Sequence, residues 1–409
     1  MIPHLSRQVW IAIAACALLL TLLPFALGRS ATADTVPLIV VPQPGTGRVA
    51  VHIVFATGDA APGLAHYAEH LAWLNAVGSR DRAADRHSNA WTRHGSVGYW
   101  LSGPPDALPE LLGNVVGVLR PIDLPRPFAE EEREIVMREY DLRVGGNVDA
   151  RADEAVHAFL HAGNPSAASV IGTPDQIRAL DYDAARAFHA ATHRIGNARI
   201  LIVGDVLRRQ ARQAVAALDL PPDEGKPLPA PTFTLGPPDR DFLTYPETGA
   251  VPRLIWQRIV ALDEAVPFDL LEARAALLRD ILDTRLPGGL AKPLRYDAEI
   301  SRRFEVEIWP LDERYVTLRI TAEPDRGVSL TEMQAAFEAA LTETAAAGIP
   351  AGTHARVLER FDGFWPDWTD DGEVALWMGA YTIDRAVIVR APLDRAALAG
   401  LAADLTPPA

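Results

Sequence analysis

The stretch GLAHYAEHLAW, residues 63–73, places His66 and His70 four apart with Glu69 between them. Its small and apolar neighbours have helical spacing. On a helix, positions three and four apart share a face, so three polar side chains stand together on an otherwise apolar segment. Two imidazoles one turn apart can chelate a divalent ion. Glu69 lies beside them, where a carboxylate can take a proton from water held there. Ala60, Ala61 and Gly63 come just before and leave room for a substrate backbone. The order H-x-x-E-H inverts the common H-E-x-x-H and is a catalytic zinc pattern.

Two further pairs have the same spacing, His157/His161 in HAFLH and His189/His193 in HAATH. Neither encloses a carboxylate, and packing or capping accounts for both. A third ligand for the first pair is expected from a second helix. Glu130, Glu131, Glu132, Glu134 and Glu139 crowd FAEEEREIVMRE, residues 128–139. Helical spacing sorts them: Glu132, Val136 and Glu139 share one stripe, and the other three glutamates point elsewhere. Glu139 would complete a His2Glu site for one zinc per chain, with water in the fourth position. Glu132 would stand behind it, orienting a ligand or the water.

The chain as a whole has globular composition. Its 409 residues are 49% hydrophobic with 33 Pro and 29 Gly, enough for two or more domains each with its own core. The net charge of -14 argues against nucleic acid as a partner. Residues 9–28, VWIAIAACALLLTLLPFALG, precede an A-x-A arrangement at Ala31 and Ala33. Residues 1–33 therefore read as a secretory signal peptide cut near Ala33; the run is also long enough to be an uncleaved membrane anchor. Cys16 is the only cysteine and lies in IAAC, which looks like a lipid-attachment box. The apolar stretch that continues after Cys16 argues against lipidation. A cut chain has no thiol, so any metal must be held by His, Asp or Glu.

Strands are expected at PLIVVPQ, RVAVHIVFAT, SVGYWLSG and ARILIVGDV, with helices between them. Seven prolines in residues 221–240 mark a semi-rigid linker. Residues 34–220 then form a first domain with the histidine motif, and residues 241–409 a second. In the second, a strand, a helix over 269–284, paired strands (FEVEIWPL, RYVTLRITAE) and another helix repeat the broad order of the first. The fold class is α+β, in two related units.

GLAHYAEHLAW followed by EREIVMRE resembles the M16 peptidases, the inverzincins, whose pattern is H-x-x-E-H and, some seventy residues on, E-x6-E. SNAWT (88–92), the G-T, F-H and G-D landmarks within residues 171–206, and LPGGLAKPLR (286–295) resemble further stretches of that family. The likeness covers most of residues 36–360 and is stronger in the first half. It implies two M16-type domains, each a mostly antiparallel sheet packed with helices. It also implies zinc on His66, His70 and Glu139, Glu69 as general base, and support from Glu132. Arg295 matches a family arginine that helps hold the substrate and the developing oxyanion. The tyrosine expected seven residues later is Arg302 here, and Tyr296 sits next to Arg295 instead. The spacing from His70 to Glu139 is several residues short, a loss that falls in NAVGSRDRAADRHS, residues 75–88.

The resemblance implies an endopeptidase acting on peptides or unfolded segments in a closed chamber, with substrate added as a strand at a sheet edge. A homodimer, or a heterodimer with another M16 subunit, would complete the chamber. The alternative is a non-catalytic or regulatory partner subunit of a heterodimeric M16 peptidase. A metal-binding protein without hydrolysis is a third reading. The expected location is outside the cytoplasm, in a bacterial periplasm, with membrane attachment only through an uncleaved N-terminal segment.

Overall fold

The structure, a computed structural model, describes residues 37–58, 60–78, 87–221, 228, 233–236, 252–364 and 394–406. The signal or anchor segment with Cys16, most of the proline-rich linker and most of 365–409 lie outside the described residues.

The first half runs in chain order through β1 (Leu38–Pro42), β2 (Val49–Gly58), α1 (Leu64–Val77), β3 (Ser88–Arg93), β4 (Gly95–Gly103) and α2 (Leu108–Val115). There follow α3 (Arg126–Tyr140), α4 (Val148–Leu160), α5 (Pro174–Arg178), α6 (Tyr182–Thr192), β5 (Ala198–Gly204) and α7 (Arg208–Ala216). The strands form one sheet in the order β1-β5-β2-β4-β3. All its pairings are antiparallel except β1 with β5, which run parallel. Strand β3 holds SNAWT and is an edge.

The apolar runs of β1, β2 and β5 have a physical reason: both faces of this sheet are covered. Val40, Val49, Val51, Ile53, Phe55, Ile200 and Ile202 pack under the first-half helices. Ile39, Val41, Leu201 and Val203 belong to a second cluster, built mainly by the other half.

That other half contains β6 (Leu254–Ala261), α8 (Phe268–Leu282), β7 (Ser301–Pro310), β8 (Tyr315–Pro324), α9 (Leu330–Ala347), α10 (Ala351–Phe364) and α11 (Arg395–Leu405). Its strands form an antiparallel sheet in the order β6-β8-β7. Strand β8 alternates: Leu318, Ile320 and Ala322 face the core with Leu278, Ile281 and Phe337, and Arg319 and Thr321 point to the other side. The architecture is α+β, as the sequence predicts. Among the described residues no helix is long and apolar enough to cross a membrane.

Two buried imidazoles set an acid limit on this fold. His52, 1% exposed in β2, stacks on Trp100 and, among the described residues, has no hydrogen-bond partner on either ring nitrogen. Burial lowers it to about 3. His193 is also fully enclosed; its Nδ1 faces Thr192 Oγ1 at 2.9 Å and its Nε2 faces Tyr99 Oη at 2.7 Å. The Thr192 hydroxyl donates to the Phe188 carbonyl, so His193 Nδ1–H donates to Thr192 and Nε2 accepts from Tyr99, the neutral tautomer. Burial lowers its pKa well below the ordinary value.

The unfolded chain protonates such histidines near pH 6.5, whereas folded His52 resists protonation until about pH 3 and folded His193 until well below its ordinary value, so the stability they contribute is complete above 6.5 and falls with acid. Between pH 7 and pH 5 the wild type should lose about 2 kcal/mol more in urea denaturation than a His52→Gln variant, which has no proton to take up at that position. An equal loss in wild type and His52→Gln over that interval would contradict neutral burial of His52.

Candidate metal centre

Helix α1 is enclosed on most of its circumference, which is why its sequence is apolar nearly all round. It starts at Gly63, whose φ of 77° is left-handed. A Cβ there would come within 2.9 Å of the Ile171 carbonyl, so the close approach to residues 170–172 requires glycine. It ends on Gly78, also left-handed, whose N–H bonds the Leu74 carbonyl. Between these ends, His66, Glu69 and His70 share one face, with His66 and Glu69 buried and their ligand atoms within 4.8 Å of one another.

Helix α3 meets that face. Ala129 and Val136 are both fully buried in the first-half core, and Tyr67 of α1 donates its hydroxyl proton to the Ala129 carbonyl at 2.7 Å. With those residues docked, Glu132 and Glu139 on the same stripe must face α1 as well. Glu139 Oε2 lies 3.4 Å from His66 Nε2 and 3.3 Å from His70 Nε2. Glu132 Oε2 accepts from His70 Nδ1 at 3.3 Å, and Thr92 of edge strand β3 donates to Glu69 Oε2 at 3.0 Å.

These distances carry information. Charge-assisted N–H···O bonds close to about 2.7–2.9 Å. The Glu139 contacts are longer, and among the described residues no hydrogen bond satisfies that buried oxygen. Donors held about 2.0–2.1 Å from a tetrahedral ion lie about 3.3 Å from one another, the edge of the tetrahedron. The two contacts of Glu139 Oε2 with imidazole nitrogens match that edge, as donors to a zinc-type ion would. Glu69 is not part of that set: it lies 3.9 Å from His66 Nε2 and is held by Thr92.

Electrostatics follow enclosure. Burial raises the Glu69 carboxyl to about 7, against the pull of His70 and the Thr92 hydroxyl. Burial lowers His66 to about 3. Burial would also lower His70, but its contacts with Glu132 and Glu139 prevail and raise it to about 10. Burial would raise Glu139, but contact with His70 and the nearby His66, His70 and Arg143 hold it at about 2.

The centre opens into a cavity of about 1210 Å³. Trp91 and Thr92 of β3, His157 of α4 and Ile171 form part of its wall, and Arg319 reaches it from the second half. Arg319 is held there by Asp153 of α4 at 2.6 Å, which also binds Arg253 at 2.9 Å. Sequence reasoning missed Arg319, although the alternation of RYVTLRITAE places it on the polar face of β8.

Arg295 is placed elsewhere. It sits on an exposed π-helical turn, Lys292–Asp297, with its guanidinium 5.7 Å from the Tyr296 ring, and is not among the residues lining the cavity. Arg302 pairs with Glu323 on the surface. The other histidine pairs are engaged in packing. His189 donates to the Val118 carbonyl at 2.8 Å, and His157 and His161 both bond Ser166, at 2.6 and 2.9 Å.

No family model matches the chain. A curated relative, the coenzyme PQQ synthesis protein F of Pseudomonas aeruginosa, is 30% identical over 321 residues, which are 72% of this chain and 39% of the relative. The chain therefore spans about two fifths of that relative's length. Among solved structures, a protease from Helicobacter pylori superposes with a TM-score of 0.71 at 18% identity, covering 89% of this chain and 93% of that one. A peptidase M16 inactive domain from Pseudomonas fluorescens superposes at 0.68 and 16% identity, covering 92% and 93%. At these identities the structural likeness is one of fold.

Proposed function

This chain belongs with the M16 peptidases in its fold and in its His66-x-x-Glu69-His70 motif, and on that premise we propose that it is a zinc-dependent endopeptidase. The observation that carries the reading is the 3.3–3.4 Å spacing of Glu139 Oε2 from two imidazole nitrogens, with Glu69 held apart from that set. His66, His70 and Glu139 would hold one zinc. Zinc bound there would supply Lewis acidity, for activating water and polarising a peptide carbonyl.

The protein's own groups do the rest. Glu69, enclosed and raised to about 7, is suited to accept a proton near neutral pH and return it to the leaving amine. Thr92 fixes its orientation. Glu132 accepts from His70 Nδ1, which sets the tautomer that leaves Nε2 free as a ligand. A peptide would add as a strand along the open edge of β3, which runs past Glu69 on the cavity wall.

Arg295 and Tyr296, exposed side by side, would serve a chamber shared with a second M16 subunit, in a homodimer or heterodimer. The N-terminal segment would direct the chain out of the cytoplasm, into a bacterial periplasm. A second reading, a non-catalytic partner subunit, is favoured by Arg295 lying away from the cavity. Against it stand all five first-half site positions, each occupied by the residue type that the chemistry needs.

The deciding experiment is cleavage of a quenched-fluorescence peptide library by the zinc-loaded protein. Cleavage that a chelator stops and added zinc restores is the expected result. Absence of cleavage by the zinc-loaded chain alone would favour the partner-subunit reading, and proteins that copurify with it should then be tested for restored cleavage.

A further inference from the structure

We propose that Arg143 is the positioning residue of this centre, holding the outer oxygen of Glu139 so that the inner oxygen is presented to His66 and His70. The proposal rests on the metal-site reading above. The two oxygens of Glu139 have different company. Oε2 faces the two imidazoles at 3.3 and 3.4 Å, and Oε1 accepts from Arg143 Nη2 at 2.5 Å. The terminal torsion of a glutamate is broad and nearly free, so an untethered carboxylate can turn either oxygen, or both, toward an ion. A guanidinium on one oxygen removes that freedom.

The backbone is shaped to deliver it. Helix α3 ends at Tyr140, and the chain continues as a π-helical turn, Asp141–Gly145, closed by the Gly146 N–H on the Asp141 carbonyl at 2.7 Å. A π turn rotates the chain less per residue than an α turn, so Arg143 lies more nearly above Glu139 than an unbroken α-helix would place it. Two glycines permit the closure. A Cβ on Gly145 would sit 3.2 Å from Asp141 Oδ1, and one on Gly146 would sit 3.1 Å from the Asp141 carbonyl. Arg151 donates to the Gly145 carbonyl and ties the turn to α4. Such single π turns recur at functional sites, where they re-aim a side chain.

Arg143 lines the cavity, and its side chain is 67% exposed. An ion pair that open to water contributes little to folding. Its effect should therefore appear in the metal and not in the stability of the metal-free protein. This separates positioning from a merely structural role.

The test compares wild type with Arg143→Met, which keeps the hydrocarbon stem, and Arg143→Lys, which keeps the charge. Zinc affinity is measured by chelator competition, the visible spectrum of the cobalt(II)-substituted protein reports ligand number and geometry, and thermal midpoints are taken without metal. Arg143→Met should bind zinc about tenfold more weakly, with an altered cobalt spectrum and an unchanged metal-free midpoint. Arg143→Lys should recover part of the affinity. Wild-type affinity and spectrum in Arg143→Met would overturn the proposal. So would a loss of affinity that tracks a fall in the metal-free midpoint. If the wild type itself takes up neither zinc nor cobalt, the metal-site reading fails, and the proposal with it.

Discussion

Glu69→Gln should retain zinc at wild-type affinity and hydrolyse peptides about 10²–10⁴-fold more slowly. The substitution keeps size and shape in a site where Glu69 is only 5% exposed, and an amide oxygen can still accept from Thr92. It removes only the capacity to take and return a proton. The three convergent donors do not include Glu69, which lies 3.9 Å from His66 Nε2. Metal content by mass spectrometry and steady-state kinetics on the same preparation separate the outcomes. Undiminished turnover would rule out Glu69 as the base. Loss of zinc would instead place Glu69 among the ligands and require a different proton acceptor.

The second large effect is expected at Glu139. Glu139→Ala should weaken zinc by about 100-fold or more, and activity should vanish with the metal. Two imidazoles one turn apart remain in that variant, without the oxygen between them that closes the set. His66→Ala should behave in the same way, because it removes another of the same three donors. Glu132→Gln should do less, since Glu132 meets His70 through the nitrogen turned away from Glu139. The order Glu139→Ala far below Glu132→Gln in affinity is the measurement. Stoichiometric zinc in Glu139→Ala would exchange the roles of the two glutamates.

Much of this centre was legible before any fold was known, and the reason is periodicity. His66, Glu69 and His70 fall on one face because helical spacing is a local property. Glu132 and Glu139 could be chosen from five glutamates because Val136, on the same stripe, had to be buried. The structure buries it against the core that receives α1. The capping of α5 by Thr173 and of α6 by Asp181 is likewise local.

Other features were not legible because they depend on residues far apart in the chain. Nothing in PLIVVPQ or ARILIVGDV marks β1 and β5 as a parallel pair within an otherwise antiparallel sheet. SNAWT does not declare itself an edge strand beside Glu69. Arg295 matched a motif, yet the turn that carries it is exposed; Arg319 matched none, yet Asp153 draws it to the cavity. The π turn that brings Arg143 over Glu139 has only Gly145 and Gly146 as its trace.

By itself the sequence determined most of the elements, their buried faces and the side chains His66, Glu69, His70 and Glu139 as candidates to meet at one helix face, because helix and strand periods and the chemistry of zinc donors act over a turn or two. The tertiary structure decided how far apart the side-chain atoms stand, which second-half cation reaches the cavity and which strand forms the sheet edge beside Glu69. Those depend on how α3 docks on α1 and how β8 faces α4, and such docking is set by burial shared among residues distant in the chain.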